Sequence, residues 1–401
     1  MDSGQQNGSN ISRMIWTIGT PIVFFVGIVG NIITIIVLTK NRQKRSSTTV
    51  YLTVLAVTDL LVMTISLPRW WMIYTFGVDI RHLSNGMCKL HWFMTYFDSA
   101  LSVSILVAVT IERIISTVKP YQMKKLCTVA SAATISSIII VVMLLLHSHV
   151  LYGFSLFHTE ISITNNNNNS SNGTNATDMT ANLTENTSFT ETNQRNCNIS
   201  GVNEISNCSR QAALNSTVLN EDKEFRTQLV KICWLQNSGY VKFYNSSFQI
   251  VTILLLNIIP ECVFLIGGII IVRKLMTARR RVASNQLEPN GNQHNYQADS
   301  NSRQITLTLL LVNIVFVICT MPVLIFLVKR SDWVDEKKGM TETQEIIWAI
   351  FNLMFYTNHA VNFILYFLSG KKFRKQVIAV FRCRNQSSEN FVTRTRVTSV
   401  L

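Results

Sequence analysis

A carboxylic acid, Asp59, stands in the middle of an apolar stretch of this sequence. An ionised carboxylate inside an apolar helix is costly unless other polar groups surround it. Candidate partners lie on other apolar stretches, at Asp98, Ser102, Asn358 and Asn362. If the helices that carry them meet at one depth, these residues predict a buried polar pocket. Such a pocket suits a bound cation or, alternatively, a hydrogen-bonded network without an ion.

A second charged feature is the pair Glu112 and Arg113, where the third apolar stretch ends. Neighbouring opposite charges can pair in one state and separate in another, so the pair predicts a conformational switch. The alternative is an ion pair that is simply solvated at the membrane surface.

Enzyme chemistry is not indicated by the remaining residues. The sequence has no Walker loop, no nucleophile with a matching base and no metal triad, so we expect no enzyme. Its eight cysteines include no CxxC pair and no zinc-like cluster with histidine. The net charge of +14 changes sign from loop to loop, which is unlike a nucleic-acid-binding face. We therefore expect no nucleic-acid partner and no organic cofactor.

Membrane helices must position these residues. Hydrophobic residues make up 48% of the 401 residues and charged residues only 14%, too few to cover soluble domains. Seven long apolar stretches predict an all-α membrane protein, a seven-transmembrane helix bundle, because each is too continuous for a barrel strand. They lie at 15–39, 48–74, 86–118, 126–152, 244–272, 304–328 and 345–368. Prolines inside four of them predict kinks, at Pro21, Pro68, Pro260 and Pro322.

The loops predict the orientation of the bundle. Segments 40–47, 112–125, 273–303 and 371–396 hold 22 Lys and Arg against four acidic residues, so we expect them in the cytoplasm. Glycosylation motifs indicate that the opposite side is extracellular. They lie at Asn7, Asn10, Asn168, Asn169, Asn172, Asn175, Asn182, Asn186, Asn198, Asn207 and Asn215.

The predicted organisation has three parts in a multi-pass plasma-membrane protein. An extracellular N-terminus at 1–14 precedes a membrane domain at 15–368, and a cytoplasmic tail follows at 369–401. The second extracellular loop, at about 158–242, is polar and rich in asparagine. Its composition predicts little regular structure, except near Cys233.

Short motifs on these helices are similar to those of the rhodopsin-like (class A) G-protein-coupled receptors. The motifs are Gly30-Asn31, Leu55-Ala56-Val57-Thr58-Asp59, Cys88, Glu112-Arg113-Ile114, Pro260, Phe316 to Pro322, and Asn362-Phe363-Ile364-Leu365-Tyr366. Lys371-Lys372-Phe373-Arg374 follows, like the short amphipathic helix 8 of that class. The resemblance covers about residues 15–382, and the Asn-Phe-x-x-Tyr form resembles invertebrate neuropeptide receptors.

The resemblance implies an ion site and a coupling switch. An allosteric sodium ion would bind at Asp59, with Ser102 and Asn362 in matching positions and Asp98 as an added acid. The implied switch residues for a heterotrimeric G protein are Glu112, Arg113, Asn362 and Tyr366. Arg113 would face the G protein once the sixth helix moves outward. Three positions depart from the pattern of that class: Thr320 replaces the usual tryptophan, Phe363 the usual proline and Gly268 the usual tyrosine. We therefore expect the contacts that accompany activation to differ from the usual ones.

Two disulfides are expected in a receptor of this kind. Cys88 would pair with Cys233 and tether the second extracellular loop over the bundle. Cys197 and Cys208 have spacing suited to a second bridge, with exchange of partners left open.

The outer half of the bundle predicts a wide, aromatic and polar ligand pocket. Its candidate lining residues are Arg69, Trp70, Trp71, His91, Thr95, Asn352 and Tyr356. Trp70 and Trp71 are neighbours, so only one can face the bundle. In the implied receptor Tyr356 replaces a retinal-linking lysine, which excludes an opsin. Thr95 replaces an amine-binding aspartate, which disfavours an amine ligand.

A weakly acidic outer rim favours a cationic peptide, so we expect a neuropeptide ligand. The alternatives are charges that only solvate the loops, a non-peptide ligand, and a scavenging receptor that does not signal. A transporter is less favoured because the seven helices show no repeat.

The C-terminal segment carries candidate sites for other partners. Apolar residues at helical spacing after Lys371 predict a helix lying on membrane lipid, with Cys383 as a palmitoylation site. The resemblance implies phosphorylation of Ser and Thr residues in the tail and recruitment of an arrestin-like protein. The terminal Ser399-Val400-Leu401 has the form that PDZ domains recognise.

Overall fold

The computed structural model describes residues 10–40, 46–164, 225–284, 293–334, 340–371 and 373–380. These ranges contain seven long helices, α1 to α7, in a bundle. The first five contain the spans Asn10–Lys40, Ser47–Phe76, Asn85–Val118, Val129–Gly153 and Ser238–Lys274, and α5 continues to Ser284. The last two are α6, Gln293–Trp333, and α7, Glu342–Ser369. Each predicted apolar stretch corresponds to one helix, although the predicted ends are displaced, most of all at the end of α5 and the start of α6.

Six of the described helices, α1 to α6, are long and apolar enough to cross a membrane. The 28-residue helix α7 is more polar, and its polar side chains lie inside the bundle. Those that are buried include Asn352, Asn358, His359 and Asn362. This burial explains how a helix of lower mean hydropathy belongs with the other six.

The outward faces of the helices are apolar, whereas the bundle centre lies around α3. On α4, Ile138, Val141 and Leu145 are exposed, as expected of side chains that hydrocarbon covers in a membrane. On α3, Ala100 and Ile105 are completely buried.

Four helices begin with a hydroxyl side chain that caps them. The capping residues are Ser46, Ser84, Thr128 and Thr341. Each side-chain oxygen accepts a hydrogen bond from the backbone N–H three residues later, which satisfies a donor that the first turn leaves unpaired. At the other end of α2, Gly77 has φ 69°, a left-handed conformation that glycine adopts without strain.

Three of the four helix prolines follow a short π-helical segment. The segments Ile15–Gly19, Val62–Ser66 and Leu254–Ile258 each end two residues before a proline, namely Pro21, Pro68 and Pro260. Proline lacks an N–H and its ring collides with the preceding turn, so a wider turn accommodates it. No such segment precedes Pro322 within the described part of α6.

The connection between α4 and α5, predicted as the second extracellular loop, begins and ends with regular structure, so the prediction of little regular structure away from Cys233 was wrong there. Strands β1, Phe154–Thr164, and β2, Phe225–Leu235, pair antiparallel along their whole length. The disulfide Cys88–Cys233, with a Cα–Cα distance of 5.6 Å, ties β2 to the start of α3 and confirms the predicted pair.

After α7, residues 373–380 are helical. The ring of Phe373 packs against the rings of Phe363 and Tyr366, at centroid distances of 5.9 and 5.8 Å. Arg374 donates hydrogen bonds to the carbonyls of Phe367 and Leu368, which anchors this segment to the end of α7. Its position on a membrane surface, as a separate amphipathic helix 8, stays a prediction.

Candidate functional site

Asp59 lies at the centre of a buried network that joins α2, α3 and α7. Its Oδ1 accepts hydrogen bonds from the Ser102 hydroxyl at 3.0 Å and from His359 Nδ1 at 2.8 Å. Its Oδ2 accepts from the Asn362 amide nitrogen at 2.7 Å. Asp59 is completely buried, so these donors replace the water that the carboxylate lost.

The structure does not bring Asp98 and Asn358 into this network. The Asp98 carboxylate, also completely buried, instead accepts from the Ser66 hydroxyl at 3.1 Å and from Ser99 at 3.3 Å. Asn358 is buried on α7, without a described hydrogen bond to Asp59. The predicted pocket therefore contains two carboxylates that accept hydrogen bonds from different donors.

His359 is a network residue that sequence reasoning missed. It precedes Asn362 by three positions, so both side chains lie on one face of α7. The backbone carbonyl of His359 also accepts a hydrogen bond from Asn31 Nδ2 at 3.0 Å, which extends the network to α1. The signal was present in the sequence, because a histidine inside an apolar helix needs a buried partner.

The groups around Asp59 fit a hydrogen-bonded network better than a sodium site. A hard cation prefers several oxygen ligands, but Asp59 faces two nitrogen donors, from His359 and Asn362. Ser102 likewise directs its hydroxyl hydrogen at the carboxylate. The geometry favours the ion-free alternative, and sodium binding stays a prediction.

Near the C-terminal end of α3, Arg113 forms an ion pair with Glu112. The Thr48 hydroxyl on α2 donates to Glu112 Oε1 at 2.6 Å, so the acid also fixes α2 against α3. Arg113 and Glu112 are 7% and 6% exposed, which excludes the alternative of a pair that is simply solvated in this conformation. Buried polar atoms of both side chains, Arg113 Nε and Glu112 Oε2, have no hydrogen-bond partner among the described residues.

Tyr366, the other predicted switch residue, is buried on α7 and contacts Phe373. Its hydroxyl has no hydrogen-bond partner within the part of the chain that the structure describes. Asn362 bonds to Asp59. In this conformation Glu112 and Arg113 thus form an ion pair on α3, while Asn362 and Tyr366 on α7 contact other residues.

A buried polar contact between α3 and α6, missed by sequence reasoning, joins Thr110 and Asn313. Asn313 Nδ2 lies 3.0 Å from Thr110 Oγ1, and Thr110 Oγ1 lies 3.2 Å from Asn313 Oδ1. Thr110 is one helical turn from Arg113. Asn313 was detectable in the sequence as an amide inside an apolar stretch.

At the opposite end of the bundle, Arg69 pairs with Asp79 in the α2–α3 connection. Two guanidinium nitrogens of Arg69 donate to the two Asp79 oxygens, at 2.9 and 2.5 Å. Asp79 Oδ1 also accepts from the backbone N–H of Arg81 at 3.0 Å. Burial raises the pKa of the Asp79 carboxyl, but the charge and hydrogen bonds of Arg69, with help from Arg81 and His82, hold it well below its usual range. Arg69 was predicted to line the ligand pocket, and here it holds the connection.

Arg81 organises a second cluster with His91 and Trp92. Its Nε donates to His91 Nδ1 at 2.9 Å, and its guanidinium lies 3.5 Å from the Trp92 ring centroid. His91 Nε2 is 3.1 Å from the Ile65 carbonyl. A carbonyl only accepts and an arginine only donates, so His91 is neutral with its hydrogen on Nε2. Thr95, next along this face, donates to the His91 carbonyl at 2.7 Å.

The remaining residues that were predicted to line the ligand pocket take part in several different contacts. Trp70 is the tryptophan that faces the bundle, since its ring stacks on Trp16 at 4.8 Å and its Nε1 donates to the Tyr356 hydroxyl at 3.2 Å. Trp71 is half-buried and its ring contacts Phe76. The Asn352 amide donates to a carbonyl of its own helix. The predicted lining thus separates into a Trp70–Tyr356 pair and the cluster around His91.

Several predicted sites lie outside the described residues. They are Asn7, Asn168, Asn169, Asn172, Asn175, Asn182, Asn186, Asn198, Asn207, Asn215, Cys197, Cys208 and Cys383, with the C-terminal Ser399-Val400-Leu401. Asn10 is described, and it is exposed at the start of α1.

Comparison with known proteins finds one family. The model of the 7 transmembrane receptor (rhodopsin family) matches residues 30–171 and 208–366, more than half of the chain. Human G-protein coupled receptor 183 is 30% identical over 115 residues, 29% of this chain and 31% of that receptor. Growth hormone secretagogue receptor type 1 of Sus scrofa is 28% identical over 140 residues, 32% of this chain and 37% of that receptor. The neuromedin U receptor homolog nmur-2 of Caenorhabditis elegans is 31% identical over 103 residues, 25% of each chain. The chain therefore spans well under half the length of these curated relatives.

Proposed function

Because the chain belongs to the rhodopsin family of seven-transmembrane receptors, we propose that it binds an extracellular ligand and activates a heterotrimeric G protein. Membership of a receptor family confirms the predicted class and the prediction that the protein is not an enzyme. The proposed setting is the plasma membrane, with the N-terminus outside and the C-terminus in the cytoplasm. The segregation of basic loops and glycosylation motifs supports this orientation.

The observation that carries the coupling proposal is the buried ion pair at the end of α3. Arg113 and Glu112 are withdrawn from water, and Thr48 holds the acid in place. An ion pair of this kind is costly to bury and favourable to expose to a charged partner. Separation of α6 from α3 would open this end of the bundle, where Arg113 would exchange Glu112 for a G protein, and the ligand would drive that separation by binding the open state more tightly.

The proposed ligand is a neuropeptide. Two relatives are named for a growth hormone secretagogue and for neuromedin U, which supports an extracellular messenger. The strands β1 and β2, tied to α3 by the disulfide, supply a broad outer surface of the kind that a peptide needs. The tail would then recruit an arrestin-like protein and a PDZ domain, and Cys383 would carry a palmitoyl chain in membrane lipid.

The test is second-messenger output in cells, with calcium and cyclic AMP recorded against a library of amidated neuropeptides. The intact chain is compared with Arg113→Ala and with a matched control, Lys119→Ala, which removes an exposed cation on the same side. A response that Arg113→Ala abolishes and Lys119→Ala retains, at equal surface expression, supports the proposal. A peptide response that survives in Arg113→Ala contradicts the coupling role, and silence across the library contradicts the peptide assignment.

A further inference from the structure

The Thr110–Asn313 contact has a defined hydrogen-bond direction. The Thr110 hydroxyl has one hydrogen, and its oxygen lies 2.9 Å from the Leu106 carbonyl of the preceding turn. The Asn313 amide nitrogen can only donate, so the hydroxyl oxygen accepts from it at 3.0 Å. The single hydroxyl hydrogen goes to the Leu106 carbonyl or to Asn313 Oδ1 at 3.2 Å, since both of these oxygens only accept. Thr110 and Asn313 are 1% and 3% exposed, so no water competes for these groups in this conformation.

Thr110 lies where three helices meet. Its methyl group faces α5, where a side chain on Gly267 would approach Thr110 Cγ2 to 3.3 Å and Ile114 Cδ1 to 2.8 Å. Its hydroxyl faces α6. The α5 backbone therefore holds the threonine from one side while Asn313 binds it from the other.

The contact is close to the ion pair but independent of it. Arg113 is one turn further along α3 and pairs with Glu112 on its own helix, which in turn accepts from Thr48 on α2. The charged pair thus ties α3 to α2, whereas Thr110 and Asn313 tie α3 to α6. Movement of α6 away from α3 would break this second tie and expose the amide to water.

We infer that Thr110 and Asn313 form the latch that holds α6 against α3 in the resting receptor. This inference rests on the proposed function, because it names the positioning residues of the same switch. The latch stabilises the closed state only, since a separated Asn313 can bond to water at the opened cytoplasmic face. Interhelical hydrogen bonds in membrane proteins correspond to about a threefold, and at most about an 18-fold, change in such an equilibrium.

Thr110→Val tests the latch with little change of shape. Valine keeps the methyl contact with α5 and removes the acceptor, so the Asn313 amide is buried without its partner and the closed state loses stability. We expect the ratio of open to closed receptor to rise about 3- to 18-fold. Adding Asn313→Leu removes the orphaned amide and should return the ratio towards that of the unmodified chain.

Hydrogen–deuterium exchange on the purified full chain in lipid nanodiscs reads the opening without a ligand or a G protein. Backbone amides at 304–316 of α6 should exchange faster in Thr110→Val, with the double variant close to the unmodified chain. Thr110→Ser retains the hydroxyl and should match the unmodified chain. The control Thr34→Val removes an equally buried hydroxyl whose bond stays within α1, and α6 should not respond.

Unchanged α6 exchange in a folded Thr110→Val protein would overturn the latch, and so would faster exchange that Asn313→Leu fails to reverse. Basal nucleotide exchange on G proteins is measured with the same variants, to separate the latch proposal from the G-protein coupling proposal. Faster α6 exchange without any effect on nucleotide exchange would support the latch and contradict the proposed coupling.

Discussion

The Arg69–Asp79 pair between α2 and the α2–α3 connection offers a quantitative test of the structure. The substitution Asp79→Asn retains an oxygen that can accept the Arg81 backbone N–H but removes the charge opposite Arg69. The two side chains are 7% and 12% exposed, so water screens the remaining guanidinium only weakly. The variant therefore removes the negative charge of Asp79 from beside a nearly buried guanidinium.

The expected cost follows from this burial. Removing one partner of a fully buried ion pair costs about 3–5 kcal/mol. Because the amide oxygen introduced by Asp79→Asn would still accept one hydrogen bond and some water reaches the site, we expect about 2–4 kcal/mol. Replacing Arg69 by Met in the Asp79→Asn background removes the buried guanidinium charge that faced Asp79 and should recover part of this loss.

Thermal unfolding of the purified chain measures the effect, with a thiol-reactive fluorophore reporting exposure of buried Cys319. At roughly 2 °C per kcal/mol, the midpoint of Asp79→Asn should fall by about 4–8 °C. The matched control is Asp332→Asn, since the Lys329–Asp332 pair is 66% and 71% exposed and its loss should be negligible. Equal midpoints for Asp79→Asn and Asp332→Asn would refute the reasoning.

Three further outcomes are expected. The pKa of Asp79 is lowered, so its ionised carboxylate stabilises the folded chain fully above the ordinary carboxyl pKa, and this stabilisation is lost as the pH falls below it. The difference in unfolding midpoint between the unmodified chain and Asp79→Asn should therefore be constant from about pH 5 to 8 and shrink below about pH 4. Replacing sodium chloride by choline chloride should leave the unfolding midpoint unchanged. His359→Ala should lower the stability by roughly 1–2 kcal/mol, because Asp59 loses a hydrogen-bond donor. A sodium-specific rise in the midpoint that Asp59→Asn abolishes would contradict the ion-free network. Cys88→Ser should destabilise the chain by about 2–4 kcal/mol, since the disulfide closes a separation of 145 residues; the assay is again the midpoint, and no change would show that the bridge is dispensable.

The helices and the centre of the polar network were predictable from the sequence because each follows from a strong local constraint. A continuous apolar stretch of about 20 or more residues has few alternatives to a membrane helix. An acid within such a stretch must find donors, and Ser102 and Asn362 were among the few available. The pairing of Cys88 with Cys233 came from the family resemblance and not from spacing.

The residues that were missed depend on helix rotation, which one sequence does not fix. His359 and Asn313 are visible as polar residues in apolar stretches, but only the packed bundle shows that one faces Asp59 and the other Thr110. Asp98 was predicted to join Asp59, and rotation of α3 directs it to Ser66 instead.

Loop contacts were less predictable because they depend on non-local geometry. Arg69 has its partner in a short connection, where the turn Ile80–His82 begins at Asp79 and brings that carboxylate back to α2. The strands β1, ending at Thr164, and β2, starting at Phe225, are far apart in the sequence, and no local pattern relates them. Their pairing depends on where the disulfide and the helix ends lie in the folded chain, so the sequence alone did not predict it.

The most direct test of the central claim is nucleotide exchange on purified heterotrimeric G proteins by the chain in lipid nanodiscs. The reaction is run with and without the pooled neuropeptide library, beside Arg113→Ala and Lys119→Ala. Receptor function predicts faster exchange on at least one G protein, lost in Arg113→Ala and kept in Lys119→Ala. Receptor function would be contradicted if the folded receptor, with the peptide library present, leaves the rate of nucleotide exchange unchanged on every G protein.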